Sequence, residues 1–323
     1  MYTYFLGMSN VFIHLVLYIL AFLAIWIGSG SAIKSVETIA RRSKVSSFLV
    51  SFFILGFFTS MGELSVGLSA IGEDNPEIFV GNLLGASLVL CVLVAPLLAI
   101  TKSKVVIPQD FRGWKLLVGL ALIGLPVFLV LDGSLSQLDG ASAAGAFLVF
   151  MAVVSSLKSK TVEAKKELLP VFNWLFIREL LTMAGGIGLT LFASRFVVDQ
   201  TLYFSLLLGF SPFLISLLVI SLGTNLPELS LVVRAFLGKS SQVAFGDFIG
   251  SAVFNTFLMG ILTLLYGKPI FLTNSYGVSL GFLVLGLVMF LIFARSKDTL
   301  SRLEGWMLFS LYILFLVVEI AIH

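Results

Sequence analysis

The chain has 323 residues, of which 59% are hydrophobic and only 11% charged, with a mean hydropathy of +1.11. That excludes a soluble globular domain and expects a bilayer-embedded protein. The net charge of +3 says little by itself; its placement along the chain is what informs.

A bilayer-spanning helix needs about 20 residues. Apolar runs of that size fall, roughly, at 11–33, 46–71, 78–100, 114–131, 141–157, 172–198, 205–236, 243–266, 276–294 and 303–322. Stretches such as "LVLYILAFLAIWI" are continuous, whereas an outer-membrane barrel alternates apolar and polar residues over ~10-residue segments. The expected fold class is therefore an all-α membrane protein with ten transmembrane helices. The first run has no basic segment or small-residue cleavage site before it, so it is expected as a retained helix. Cys91, the single cysteine, lies inside the third run and is expected to pack in the core. The longest charged stretch, "KSKTVEAKKELLP" (158–170), separates the fifth run from the sixth.

If the runs are threaded in order, one side of the membrane receives Lys34, Arg41, Arg42, Lys44, Lys102, Lys104, Arg112, Lys115, Lys158, Lys160, Lys165, Lys166, Arg178, Arg234, Lys239, Arg295, Lys297 and Arg302. The other side receives Arg195 and Lys268 with Glu73, Asp74, Glu77, Asp132 and Asp139. A missed helix would scramble this segregation downstream. By the positive-inside rule the basic side is cytoplasmic, which puts both termini outside a plasma membrane. The basic loops orient the protein, and no nucleic-acid partner is expected.

The chain is written twice. Shifted by 165 residues, "SSFLVSFFILGFFTSMGELSVGLSAI" (46–71) aligns without gaps on "SPFLISLLVISLGTNLPELSLVVRAF" (211–236), with nine of 26 positions identical. The same shift lays "GNLLGASLVL" (81–90) on "GDFIGSAVFN" (246–255). The chain therefore divides into a first five-helix repeat (1–157), a cytoplasmic linker (158–171) and a second five-helix repeat (172–323). Five is odd, so the second repeat enters the membrane from the opposite side. Inverted repeats commonly serve alternating access to a midplane site.

The repeated residues are polar ones. Glu63 and Glu228 stand about midway along the second and seventh runs, where an ionised carboxylate costs several kcal/mol and needs a partner. Lysines and arginines sit near run ends, which leaves a bound cation or a proton. Thr59, Ser60, Thr224 and Asn225 bring side-chain oxygens within one helical turn of each glutamate. Pro227 is expected to break its helix at the preceding turn and free main-chain carbonyls, with Gly223 permitting the altered backbone. Ser251 and Asn255 add oxygens on the eighth run. Two carboxylates with hydroxyl, amide and carbonyl oxygens suit a hard cation such as Ca²⁺. Histidine-dependent soft or borderline metals are not expected, since His14 and His323 are remote from these motifs.

"SLGTNLPELSLVVRA" followed by "GDFIGSAVFN", with weaker copies "FFTSMGELSVGLSA" and "GNLLGASLVL", resembles the alpha repeats of the cation/Ca²⁺ exchanger superfamily, the sodium/calcium exchanger branch most closely. The resemblance implies that Glu63 and Glu228 are central cation ligands with Thr59 and Thr224 beside them, and that Ser60, Asn225, Ser251 and Asn255 complete the sites. It further implies that the second, third, seventh and eighth helices are discontinuous and that the first and sixth form a sliding pair. Departures stand in the first repeat: Gly62, Ala86 and Leu90 occupy the family's proline, serine and asparagine positions, and in the second Asn225 replaces a serine.

The expected function is secondary antiport of Ca²⁺ or a related cation against Na⁺, with no enzyme activity, no covalent cofactor, inorganic cations and lipid as partners, and a monomeric working unit. Alternatives are a cation/proton antiporter whose glutamates titrate, favoured by Ala86 and Leu90, and a degenerate non-transporting homologue. An intramembrane protease using Asp247 lacks a clear second aspartate motif, and Asp247 is expected near the start of its span as a helix cap.

Overall fold

The structure, a computed structural model, describes residues 2–40, 52, 56–102, 104–108, 111–156, 174–229, 232, 241–272 and 276–322. The apolar runs fall mostly on helix over the residues described; the seventh, expected from 205, begins at Pro212, because the preceding helix continues to Leu208 and residues 209–211 turn. Helix α1 covers Tyr2–Ala40. The second run gives α2 (Gly56–Thr59) and α3 (Met61–Gly72), and the third gives α4 (Glu77–Lys102). Then come α5 (Trp114–Leu129), α6 (Gln137–Ser156) and α7 (Trp174–Leu208). The seventh run gives α8 (Pro212–Thr224) and a continuation over 226–229, followed by α9 (Ser241–Tyr266), α10 (Gly277–Lys297) and α11 (Arg302–Ile322). Among the described residues seven helices are long and apolar enough to cross a membrane, α5 and α8 being shorter apolar helices. Residues 41–51, the linker 158–171 and 233–240, with most of the basic residues assigned to them, lie outside the described residues.

Burial separates a central from a peripheral set. The apolar windows of α4 and α9 are almost wholly buried, whereas α1, α6, α7, α10 and α11 bury a stripe and expose residues such as Phe12, Leu20, Phe192, Leu206, Ile292 and Val317. Apolar side chains on the outside are stable only against hydrocarbon, so α4 and α9 form the middle of a multi-pass membrane protein. α1 has 39 residues and α7 has 35, about 58 and 52 Å at 1.5 Å per residue. They pack along each other, with Gly28 in the contact, where a Cβ would lie 2.6 Å from the Gly186 carbonyl oxygen.

Two short antiparallel ribbons tie the helix ends. β1 (Lys104–Val106) pairs with β4 (Thr299–Ser301), and β2 (Ser134–Leu135) with β3 (Ile270–Phe271). The 165-residue shift exchanges them: Val105 paired with Leu300 becomes Ile270 paired with Leu135, and Val106 with Thr299 becomes Phe271 with Ser134. Ser136 and Ser301, also 165 apart, each start a helix with a capping box. The Ser136 N–H and hydroxyl donate to Asp139 Oδ2 at 2.8 and 2.7 Å, and those of Ser301 donate to Glu304 Oε2 at 2.7 Å each.

Helices α5 and α10 each run from one ribbon to the other, so the ribbons mark opposite ends of the bundle. Around β1 and β4 stand Lys102, Lys104, Arg112, Lys115, Arg295, Lys297 and Arg302, with Arg112 3.5 Å from Asp298. Around β2 and β3 stand Asp132, Asp139 and Lys268, and the Tyr266 hydroxyl donates to Asp74 at 2.8 Å, drawing the Glu73–Glu77 turn to that end. The charge segregation read from the sequence is present in these folded ends.

Candidate cation site

Over the described residues, the helices carrying Glu63 and Glu228 are each interrupted at one residue, and the two residues are 165 apart. Ser60 (φ −74°, ψ 9°) separates α2 from α3, and Asn225 (φ −88°, ψ 12°) comes directly after α8. Their N–H groups reach the carbonyls of Gly56 and Ser221 only at 3.4 Å each. Their side chains take those carbonyls instead: Ser60 Oγ donates to Gly56 O at 2.9 Å, and Asn225 Nδ2 to Ser221 O at 2.7 Å. A side-chain donor competing for the i−4 carbonyl weakens and bends the main-chain turn; the same capture by Thr190, Thr201 and Thr263 leaves α7 and α9 continuous, so it accompanies the two interruptions and does not by itself cause them. Helix resumes at once, with Leu64 N–H on Ser60 O at 3.0 Å and Leu229 N–H on Asn225 O at 3.1 Å.

Two expectations need correcting. Pro227 does not by itself account for the interruption, because Gly62 stands at its repeat position and the same interruption occurs there. Nor are the third and eighth helices broken: α9 is continuous, and α4 passes through a π-turn at Val89–Val94 without interruption. Both contribute oxygens from side chains, which needs no open turn.

The eight residues expected at the site, Thr59, Ser60, Glu63, Thr224, Asn225, Glu228, Ser251 and Asn255, are all at most 1% exposed. Close helix crossings bring their elements together. A Cβ at Gly85 would overlap the Leu217 carbonyl oxygen, and one at Gly250 would overlap that of Phe52, the repeat-related contact. Gly56 lies against the backbone of Gly250 and Ser251, and Gly62 faces Thr224. Thr59 Oγ1 and Ser251 Oγ are 2.6 Å apart, and Ser251 Oγ donates to Gly56 O at 3.4 Å. Thr224 comes within interaction range of the Glu63 carboxyl group and Thr59 of that of Glu228, while the two glutamates lie within Coulombic reach of each other. Each glutamate thus stands near the threonine of the other half, outside hydrogen-bond geometry.

Two residues that the sequence reading left outside the site belong to this cluster. Asp247, 1% exposed, is six residues inside α9 and accepts from Thr59 Oγ1 at 3.4 Å; it does not cap the helix. Asn82, its repeat partner and fully buried, accepts from Thr224 Oγ1 at 3.3 Å. The signal was the 165-residue shift itself, which pairs these two polar residues as it pairs the glutamates.

Neither oxygen of Glu63 nor either of Glu228 has a hydrogen-bond partner among the described residues, and the same holds for Asn225 Oδ1 and both side-chain heteroatoms of Asn255. Buried oxygens left this way are costly unless something electropositive meets them. Two carboxylates with neighbouring hydroxyls and amides match the oxygen ligand set of a hard cation. Among the described residues no three Asp, Glu, His or Cys converge tightly enough to hold a metal alone, so hydroxyl and amide oxygens are needed in the set. Ala86 and Leu90, repeat partners of Ser251 and Asn255, are fully buried and bring only hydrocarbon.

The family model described as sodium/calcium exchanger protein matches residues 13–156 and 179–321, two segments whose starts and ends stand 166 and 165 residues apart. The chain belongs to the sodium/calcium exchanger family. Members of the family are transporters, not enzymes, and membership assigns this chain to cation antiport. It is 24% identical over 331 residues to the sodium/calcium exchanger MaX1 of Methanosarcina acetivorans, covering 90% of this chain and 94% of that one. It is 27% identical over 258 residues to the inner membrane protein YrbG of Escherichia coli, covering 73% and 72%. A solved structure of the sodium-calcium exchanger NCX_Mj, soaked with Na⁺ and Sr²⁺, superposes with a TM-score of 0.69 at 22% identity, covering 95% of this chain and 99% of that one, which establishes the common fold.

Proposed function

We propose that this exchanger moves Ca²⁺ or a related divalent cation against Na⁺ through a site centred on Glu63 and Glu228, with Thr59, Thr224, Ser60, Asn225, Ser251 and Asn255 completing the oxygen set. The observation that carries this reading is the four glutamate oxygens, buried in the middle of the bundle without hydrogen-bond partners among the described residues. Two negative charges there favour a divalent ion, or two monovalent ones, over an empty site. Whichever cation occupies the site neutralises the carboxylates, and only a neutralised site crosses an occluded state at low cost, so one ion leaves only when another replaces it. The name of MaX1 and the Na⁺, Ca²⁺ and Sr²⁺ soaks of NCX_Mj support this choice of ions.

The matched ribbons, capping boxes and helix interruptions support a ten-helix, inverted five-plus-five architecture with halves at 1–157 and 172–323. In it α1 and α7 slide across the core as the alternating-access element, within a single chain. Both termini face outward from the plasma membrane, with the β1–β4 end cytoplasmic. Lys165→Cys should then resist an impermeant thiol reagent in intact cells.

A proton-coupled exchanger using the same glutamates is the second reading, favoured by the hydrocarbon of Ala86 and Leu90. Purified protein in liposomes distinguishes them. Ca²⁺ uptake driven by an outward Na⁺ gradient at fixed pH supports sodium coupling. Uptake driven only by a proton gradient in Na⁺-free medium overturns it, and the absence of any cation-dependent flux or stabilisation marks a non-transporting homologue.

A further inference from the structure

Thr59 and Thr224 stand at two repeat-related ends of the site, and the structure gives those ends different chemistry. At the first, Thr59 Oγ1 meets Ser251 Oγ at 2.6 Å and Asp247 Oδ1 at 3.4 Å, with the Gly56 carbonyl 3.4 Å from Ser251 Oγ. At the second, Thr224 Oγ1 meets Asn82 Oδ1 at 3.3 Å, and the residue in the place of Ser251 is Ala86. One end holds a carboxylate with the Thr59 and Ser251 hydroxyls; the other holds an amide, the Thr224 hydroxyl and a methyl, with the Ser221 hydroxyl beside Gly85 donating to the Leu217 carbonyl. Asp247, Ser251, Asn82 and Ala86 are all at most 1% exposed.

We infer that Asp247 is a third carboxylate of the transport site and makes its two ends unequal, so that the Thr59–Ser251–Asp247 end takes a small monovalent cation such as Na⁺ and the Thr224–Asn82–Ala86 end does not. The inference rests on the proposed glutamate-centred site and adds a residue to it. Asp247 lies within Coulombic reach of Glu228 yet does not converge with both glutamates on one point, so its charge serves a position beside the central ion. A single carboxylate with hydroxyl and carbonyl oxygens around it matches one positive charge in a hard-oxygen environment. The amide of Asn82 offers an acceptor of the same size and no charge. Coulomb attraction over a few ångströms inside a protein is large enough for that one difference to decide occupancy.

The replacement Asp247→Asn keeps the shape and the acceptor for Thr59 and removes only the charge. The measurement is Ca²⁺ flux from proteoliposomes at fixed pH as a function of Na⁺, with Na⁺ and Ca²⁺ binding to the purified protein followed by calorimetry. The expected result is a loss of apparent Na⁺ affinity of about tenfold or more, with Ca²⁺ affinity changed less than about threefold. Asn82→Asp alone should raise Na⁺ affinity, and the exchanged pair Asp247→Asn with Asn82→Asp should recover most of what the single variant loses. Unchanged Na⁺ dependence in Asp247→Asn, or equal weakening of Na⁺ and Ca²⁺, overturns the inference. If Asp247→Asn fails to fold, Asn82→Asp decides: no gain in Na⁺ affinity overturns it. Glu228→Gln run in parallel separates the two layers, because retained Ca²⁺ binding there defeats the glutamate-centred site itself, whatever Asp247 does.

Discussion

Ser60 and Asn225 interrupt their helices in the same way, but the residues beyond them differ: Gly62 stands two positions after the first, Pro227 two positions after the second. Around these matched interruptions the second half supplies Ser251, Asn255 and Asp247, where the first half supplies Ala86, Leu90 and Asn82. The interrupted backbone of the proposed site is therefore present in duplicate, while the polar side chains around it are unequal between the halves. Symmetry of backbone suits a mechanism that must work from both faces of a membrane. In the proposed site, asymmetry of ligands would set the identity and number of the ions.

The duplicated backbone implies that the two glutamates contribute alike. Glu63→Gln and Glu228→Gln each preserve size and remove one of the two charges that balance a divalent ion. Each should weaken Ca²⁺ binding by about 100-fold or more, roughly 2.8 kcal/mol, with the fold retained. Calorimetric titration of both variants checks this; one variant binding Ca²⁺ like the parent would show that a single half carries the site.

Restoring oxygens to the poorer half should have the next largest effect. If Ala86 and Leu90 point where Ser251 and Asn255 point, the double substitution Ala86→Ser with Leu90→Asn supplies ligands that Na⁺ cannot obtain from hydrocarbon. Ca²⁺ is helped less because the carboxylates dominate its binding. The parent should show weak or low-stoichiometry Na⁺ coupling, and the variant about a tenfold gain in apparent Na⁺ affinity with a steeper dependence. Flux measured over a Na⁺ series would show no difference between the two if Leu90 faces away from the site.

Proline tests the backbone half of the comparison. Because the turn at Ser60 is open without a proline, Pro227→Gly should leave transport within about threefold of the parent. Gly62→Pro should also be tolerated, since residue 62 lies in the first turn of α3, and a Cβ there would sit 3.4 Å from Ile25 Cγ2 and Thr224 Cβ, an ordinary contact. A gain of about 0.4–1 kcal/mol in stability is expected from the lost freedom of the unfolded chain. Ser60→Ala, which frees the Gly56 carbonyl for the main chain, should impair transport more than either proline change.

Much of this was readable before folding. Long continuous apolar runs identify helices because a helix satisfies its own backbone in hydrocarbon, and a repeat that retains Thr, Glu and Ser at fixed spacing marks the centre of the proposed site. The first interruption was not readable: proline is conspicuous in a sequence, whereas the first repeat carries Gly62 at that position and is interrupted at Ser60 all the same. Asp247 was misread because it lies five residues into its apolar run, where depth depends on where the helix begins; α9 starts at Ser241, and the crossing at Gly250 brings Asp247 onto Thr59. The two ribbons escaped notice altogether, since strands of two or three residues acquire their meaning only from partners 135 to 197 residues away.

The smallest expected effect lies at the acidic end, in a contact that joins the two halves without touching the site. Asp74, at φ 53°, receives the Tyr266 hydroxyl at 2.8 Å and stands 3.6 Å from Lys268 Nζ, so the turn after α3 is held to the end of α9. The Tyr266 hydrogen bond, with Lys268 adding to it, holds the Asp74 carboxyl below its ordinary value of 3.8. A group depressed in the folded state contributes above its unfolded pKa and loses that contribution as pH falls through the folded one. Asp74→Asn keeps a residue that tolerates positive φ and removes the charge. Because the group is exposed, the variant should melt no more than about two degrees below the parent at pH 7, and the difference should vanish as pH falls below the ordinary carboxylate range. A difference that persists undiminished in acid would mean that shape, and not charge, holds this turn to α9.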